Sequence, residues 1–180
     1  MSFCSDVKGE LLSLRLSGCC LSAYSYGFML FGRSFSIKRI ALQTNSEQVA
    51  EGYCDAVFKS YKIKPEITEG GTKRPTFVAE VVSESDRLKI LAENDFLMNQ
   101  SLIDDSLFHR DCCFAAFVRG AFLACGNIND PEKEYRIEFN VKQETMALEL
   151  QALLLRVGIN LKSTKTVSYT HLTLPTIYSV

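Results

Sequence analysis

The chain has 180 residues, 47% hydrophobic and 23% charged, with 20 basic against 21 acidic side chains and a formal net charge of −1. That is enough apolar material for one or two small domains with a real core, and the near-neutral balance argues against gripping nucleic acid by bulk charge alone. No apolar run reaches the roughly 20 residues that cross a bilayer, and Met1-Ser-Phe-Cys-Ser-Asp6 lacks the regions of a signal peptide, so a cytoplasmic chain with reduced cysteines and no membrane partner is expected.

Residues 5–15 read as a short amphipathic helix, with Val7, Leu11, Leu12 and Leu14 apolar. Residues 20–32 are apolar almost throughout, the mark of a buried helix. Ser34 to Thr44 reads as a strand with Ile40 and Leu42 on one face. Asn45 or Ser46 caps a helix that runs to about Tyr61, with Val49, Ala50, Tyr53, Cys54 and Val57 as its stripe. Lys62–Thr68 and Pro75–Ser83 pair as a hairpin around Glu69-Gly-Gly-Thr-Lys-Arg74, and a further helix follows from Asp86 to about Asn94. After the polar stretch Asn99–Asp105 come a helix at 112–125, a strand at 134–141 and a helix at 143–157, which Gly158 stops.

These elements repeat. Cys19-Cys-Leu-Ser-Ala-Tyr-Ser-Tyr-Gly27 returns as Cys112-Cys-Phe-Ala-Ala-Phe-Val-Arg-Gly120, and Ile40-Ala-Leu-Gln-Thr44 returns as Ile137-Glu-Phe-Asn-Val141. Glu47 and Ala50 recur as Glu144 and Ala147 in that same frame. A duplicated helix–strand–helix unit predicts pseudo-twofold symmetry.

The second copy ends its first helix with Phe117-Val-Arg-Gly-Ala-Phe-Leu-Ala-Cys-Gly-Asn-Ile128. This resembles the helix that names the LAGLIDADG homing endonucleases, in which small residues such as Gly120, Ala121, Ala124 and Gly126 let two helices approach closely. The start Met1-Ser-Phe-Cys-Ser-Asp-Val-Lys-Gly-Glu-Leu11, the segment Phe117–Tyr135 and both Cys-Cys pairs resemble the WhiA family over residues 1–166. That resemblance implies an α+β fold of the LAGLIDADG type, a pseudo-twofold repeat of helix–strand–helix–hairpin units, followed by a helix-turn-helix that lies beyond this chain. It also implies a non-enzymatic DNA-binding role in transcription regulation, sporulation, cell division and chromosome segregation, in the cytoplasm and associated with the nucleoid. Protein partners are a further expectation. The alternative is an active homing endonuclease, which requires a carboxylate before the final glycine of each helix to hold the metal that activates water. Cys125 and Phe31 stand there, and neither offers the oxygen ligands magnesium takes. A small-ligand sensor between the halves is neither supported nor excluded.

Period-2 alternation puts Arg39 and Gln43 on the strand face away from the helices, with Arg136 and Asn140 as their equivalents. With Lys73 and Arg74 at the hairpin tip, these are the expected nucleic-acid contacts, suited to phosphates and base edges. The bland reading is an ordinary solvated face, and Glu138 in its middle favours that. No catalytic residue, cofactor or metal ligand is expected. Adjacent cysteines diverge on a helix, and zinc ligands usually stand two to four residues apart, so the Cys-Cys pairs, with His109 just before the second, read as buried thiols opening packed helices. Cys125 has no activating partner legible as a nucleophile's base.

Three segments are expected: 1–110 as the first repeat, 111–166 as an incomplete second repeat, and 167–180 as a foreign tail. Val167-Ser-Tyr-Thr-His-Leu-Thr-Leu-Pro-Thr-Ile177 has no charged residue and resembles a translated sequencing adaptor, which would add nothing to the fold.

Overall fold

The apolar stretch after Cys20 becomes α2 (Leu21–Leu30), and its repeat becomes α5 (Asp111–Cys125). A helix apolar on every side has to be covered on every side, and each residue of α2 from Ala23 to Leu30 is buried. The computed structural model, which describes residues 2–98, 101–103 and 105–174, lays the two helices side by side and parallel. Two glycines set their spacing. A Cβ on Gly27 would strike the Phe117 carbonyl, and one on Gly120 the Tyr24 carbonyl. Backbone therefore touches backbone at the seam, as the small-residue pattern predicts. Tyr26 and Phe31 of the first half close on Phe117 of the second, with ring centroids 6.2 and 6.0 Å apart, so one core serves both halves.

The remaining elements wrap this spine twice in the same order. In the first half α1 (Phe3–Ser13) starts two residues earlier than its stripe suggests, because Ser2 Oγ accepts from Ser5 N–H at 3.2 Å and caps it. The expected strand Ser34–Thr44 is two strands. β1 (Ser34–Phe35) and β2 (Ile40–Thr44) are joined by a turn in which Ser36 and Arg39 exchange backbone hydrogen bonds at 2.9 and 3.1 Å. Then come α3 (Glu47–Tyr61), capped by Ser46 and ended by Lys62 in the left-handed region at φ 59°, β3 (Glu66–Gly70), β4 (Thr76–Glu80) and α4 (Glu84–Glu93). The sheet order is β1-β2-β4-β3, antiparallel throughout, with Leu42 opposite Ala79 and Ile67 opposite the same Ala79.

In the second half α5 leads into β5 (Gly126–Ile128), β6 (Ile137–Val141), α6 (Glu144–Arg156), β7 (Lys162–Lys165) and β8 (Thr170–Thr173). Its order is β5-β6-β8-β7, the first sheet over again. The pseudo-twofold α+β architecture is thus present, and the missing last strands of the second repeat are not missing. Residues expected to add nothing form β8, which lies between β6 and β7 with Leu172 opposite Phe139 and Thr170 opposite Val141. Leu172 and Thr170 are buried, and His171 and Thr173 face outward. The physical reason is local. Without β8 the edge of β6 would present unpaired backbone groups above exposed apolar surface, and a Thr- and Leu-rich run with period-2 alternation suits a half-buried strand. Ile177 of that tail lies outside the described residues, as do Asn99, Gln100 and Asp104 of the polar stretch.

Candidate nucleic-acid interface

Strand alternation divides each sheet cleanly. Ile40, Leu42, Phe77, Ala79, Phe139, Val141 and Leu172 pack on helices. The opposite face carries Arg39, Gln43 and Glu80 in the first sheet and Arg136, Glu138, Asn140 and His171 in the second. Each of the two arginines is answered by a carboxylate on its own face. Arg39 donates from Nε and Nη2 to Glu80 Oε2 at 3.1 and 2.7 Å, and Arg136 Nη2 lies 3.3 Å from Glu138 Oε2. Each arginine's charge is thus partly offset within its own sheet, by an ion pair that is weak where it is solvent-exposed. Lys73 and Arg74 are exposed in the turn between β3 and β4.

Gln43 and Asn140 do come together. Both line a cleft of ≈ 850 Å³ where α2 and α5 end. Around them stand Lys8, Arg33, Lys142 and His171, and among the described residues no aspartate or glutamate lines the cleft. Phe31 and Cys125, at the positions where a nuclease of this fold needs its acids, form part of the lining. Burial first, against the pull of Lys8, pushes the Cys125 thiol up to about 12, so it stays neutral. Lys8 reaches in from α1. Its Nζ donates to the Leu123 carbonyl at 3.2 Å and lies 5.7 Å from the centre of the Phe122 ring, and burial lowers its pKa from the ordinary lysine value. An amine thus stands beside the end of α5 where hard-cation chemistry would need oxygen. Asn140 Oδ1 is buried and has no hydrogen-bond partner among the described residues, a polar group poised for a donor.

Lys8, Arg33, Lys142 and His171 escaped the sequence reading. Lys142 had a signal, since it stands at the end of β6 where Asn45 stands at the end of β2. Lys8 had none, because its helix reaches the cleft only through tertiary packing.

At the other end of α2 and α5 the cysteine pairs do not stay apart. Cys20 and Cys113 are buried, as expected of thiols opening packed helices, whereas Cys19 and Cys112 are exposed, and the sulfurs of all four converge. The divergence of neighbours on one helix is overcome because two helix starts meet at the symmetry axis. A hydrogen bond with Ser17 first, then those with Cys20 and Cys112, brings the Cys19 thiol down to about 7, whereas a hydrogen bond with Cys20 first pushes Cys112 up to about 12 and burial first raises Cys113.

Residues 114–179 match the family model of the WhiA LAGLIDADG-like domain. The chain is 29% identical to the probable cell division protein WhiA of Oceanobacillus iheyensis over 89% of its own length and 54% of that protein's, and 30% identical to that of Bacillus subtilis over 77% and 47%. It therefore spans about half the length of the curated relatives it matches. Full-length DUF199/WhiA from Thermatoga maritima superposes with a TM-score of 0.73 at 20% identity, covering 98% of this chain and 58% of that one. The homing endonuclease I-DmoI, in complex with DNA and Mn, superposes at 0.56 and 14% identity, covering 87% of this chain and 90% of that one. The duplicated fold, the seam glycines and these matches lead to one conclusion: residues 114–179 carry the pattern of the WhiA LAGLIDADG-like domain, and the chain as a whole has the LAGLIDADG-like fold of the WhiA proteins it resembles.

Proposed function

We propose that this chain is the non-cleaving, DNA-contacting part of a WhiA-type regulator of cell division, chromosome segregation and sporulation-related transcription, acting at the nucleoid. The observation that carries the reading is the composition of the cleft. Lys8, Arg33 and Lys142 line it with no carboxylate among the described residues, which favours a phosphate backbone and disfavours a hard catalytic cation. Gln43 and Asn140 bring amide groups suited to base edges or sugars. Arg39 and Arg136 would contribute only by leaving Glu80 and Glu138, so contact is centred on the cleft, with Lys73 and Arg74 touching phosphates from the hairpin tip. The main grip would come from the helix-turn-helix that family resemblance implies, and protein partners would use the same regulator.

Binding of the chain to a labelled duplex, followed by fluorescence anisotropy across a salt series, tests this. Weak, salt-sensitive binding is expected, and Lys142→Glu together with Arg33→Glu should flatten the salt dependence by about one unit of slope per lost phosphate contact. No nicking of supercoiled plasmid should occur in magnesium or manganese. Absence of binding at low salt, or metal-dependent nicking abolished by Cys125→Ala, would overturn the reading.

A further inference from the structure

The Sγ atoms of Cys19, Cys20, Cys112 and Cys113 all lie within 4.8 Å of one another. Cys19 Sγ is 3.8 Å from Cys20 Sγ and 3.8 Å from Cys112 Sγ. Those separations are far longer than the about 2.05 Å of a disulfide. They match the edge, about 3.8 Å, of a tetrahedron whose four sulfurs each stand about 2.3 Å from one central ion.

We propose that these four cysteines form a closed metal site for a single thiolate-bound divalent ion, zinc, that ties the two repeats together at the start of the α2/α5 seam. Three features beyond proximity argue for it. The ligands come as one pair from each repeat, 93 residues apart, so the ion cross-links exactly the two helices whose glycines already bring their backbones into contact. Two helices, α2 and α5, begin at the cluster and direct their positive ends at the negative charge that four bound thiolates would carry. Cys20 and Cys113 are buried and fixed in place: Ser17 Oγ lies 3.1 Å from Cys20 Sγ, and Cys113 Sγ donates to the Cys19 carbonyl at 3.2 Å. Soft sulfur donors in a tetrahedral set select zinc over magnesium or calcium. On binding, four sulfur–zinc bonds form and the thiol protons leave to solvent, so no oxidant or reductant enters. Four protein ligands leave no open position, and the site is structural rather than catalytic.

The test uses the full chain purified under reducing conditions. Elemental analysis by mass spectrometry should find one zinc per chain. The Cys19→Ser/Cys112→Ser variant should lose it, and Cys4→Ser and Cys54→Ser should keep it. Should the double variant fail to fold, cobalt(II) titration of metal-stripped wild type decides the matter: the intense visible bands and sulfur-to-metal charge-transfer absorption of tetrahedral thiolate cobalt are expected, displaced by zinc. Absence of those bands, zinc that survives loss of Cys19 and Cys112, or a Cys19–Cys112 disulfide in the protein as isolated would each overturn the site. Iron in place of zinc would overturn the identity of the ion.

Discussion

The two ends of the α2/α5 seam have diverged in opposite directions. At the N-terminal end each repeat contributes the same pair of sulfurs, and the four meet about the axis. At the C-terminal end the repeats contribute unlike residues, Phe31 and Cys125, and the two halves finish the cleft with unmatched elements, Lys8 of α1 from the first and His171 of β8 from the second. An ion on a symmetry axis needs matched donors from both halves, whereas a surface that meets a polyanion needs only net positive charge. Close helix packing is common to both ends, and the chemistry each supports is set by the few side chains at the helix tips.

That comparison can be broken from either end. The largest effect is expected at Leu172, which is 0% exposed against Phe139. Leu172→Ala should remove about 2–5 kcal/mol of stability and loosen the cleft, which β8 helps to line, while leaving the reactivity of the cysteine pairs unchanged. Chemical denaturation with thiol labelling reads both, and an unmoved midpoint would mean that the 167–174 segment takes no part in the fold. Gly120→Leu attacks the seam on which both ends depend. Its side chain would meet the Tyr24 carbonyl and the Phe28 backbone, for a loss of about 1–3 kcal/mol, with the cysteine pairs disturbed as well as the cleft. Disturbance confined to one end would show that the seam does not couple them.

The smallest effect sharpens the contrast through pH. Burial raises Cys54 to about 11 and Cys125 to about 12 from an ordinary 9.0, and raises Tyr24 and Tyr61 to about 12 from 10.0. Between the unfolded and folded values the unfolded chain has released protons that the folded chain retains, so stability must fall as pH rises. The penalty is small below about pH 9 and grows from there, on the order of 1 kcal/mol for each buried thiol by about pH 10. Denaturation midpoints on either side of pH 9 measure it. A midpoint that rises with pH would contradict neutral Cys125 at the cleft.

Much of the architecture can be read along the chain because its causes are local. Ser46 and the Val49, Ala50, Tyr53, Val57 stripe specify α3, with Ser46 Oγ accepting from Val49 N–H at 3.4 Å. The Gly-rich run after Glu69 specifies the β3–β4 hairpin. The split of Ser34–Thr44 into β1 and β2 was hidden, since Ser36–Arg39 has no glycine or proline to announce a turn. Arg39 and Arg136 could be assigned to the outer face by alternation, but the carboxylates that neutralise them could not, because Glu80 meets Arg39 only through strand pairing.

By itself the sequence determined the duplication, the glycine seam and the loss of oxygen ligands at positions 31 and 125, because each is a matter of residue type at a repeating position. Only the tertiary structure decided that Lys8, Lys142 and His171 share one cleft, that Leu172 completes the second sheet, and that four sulfurs 93 residues apart in pairs come within 4.8 Å. Periodicity reports which way a side chain points from its own element, whereas these meetings depend on how two elements are placed about the pseudo-twofold axis. That placement is fixed by core packing contributed by both halves at once.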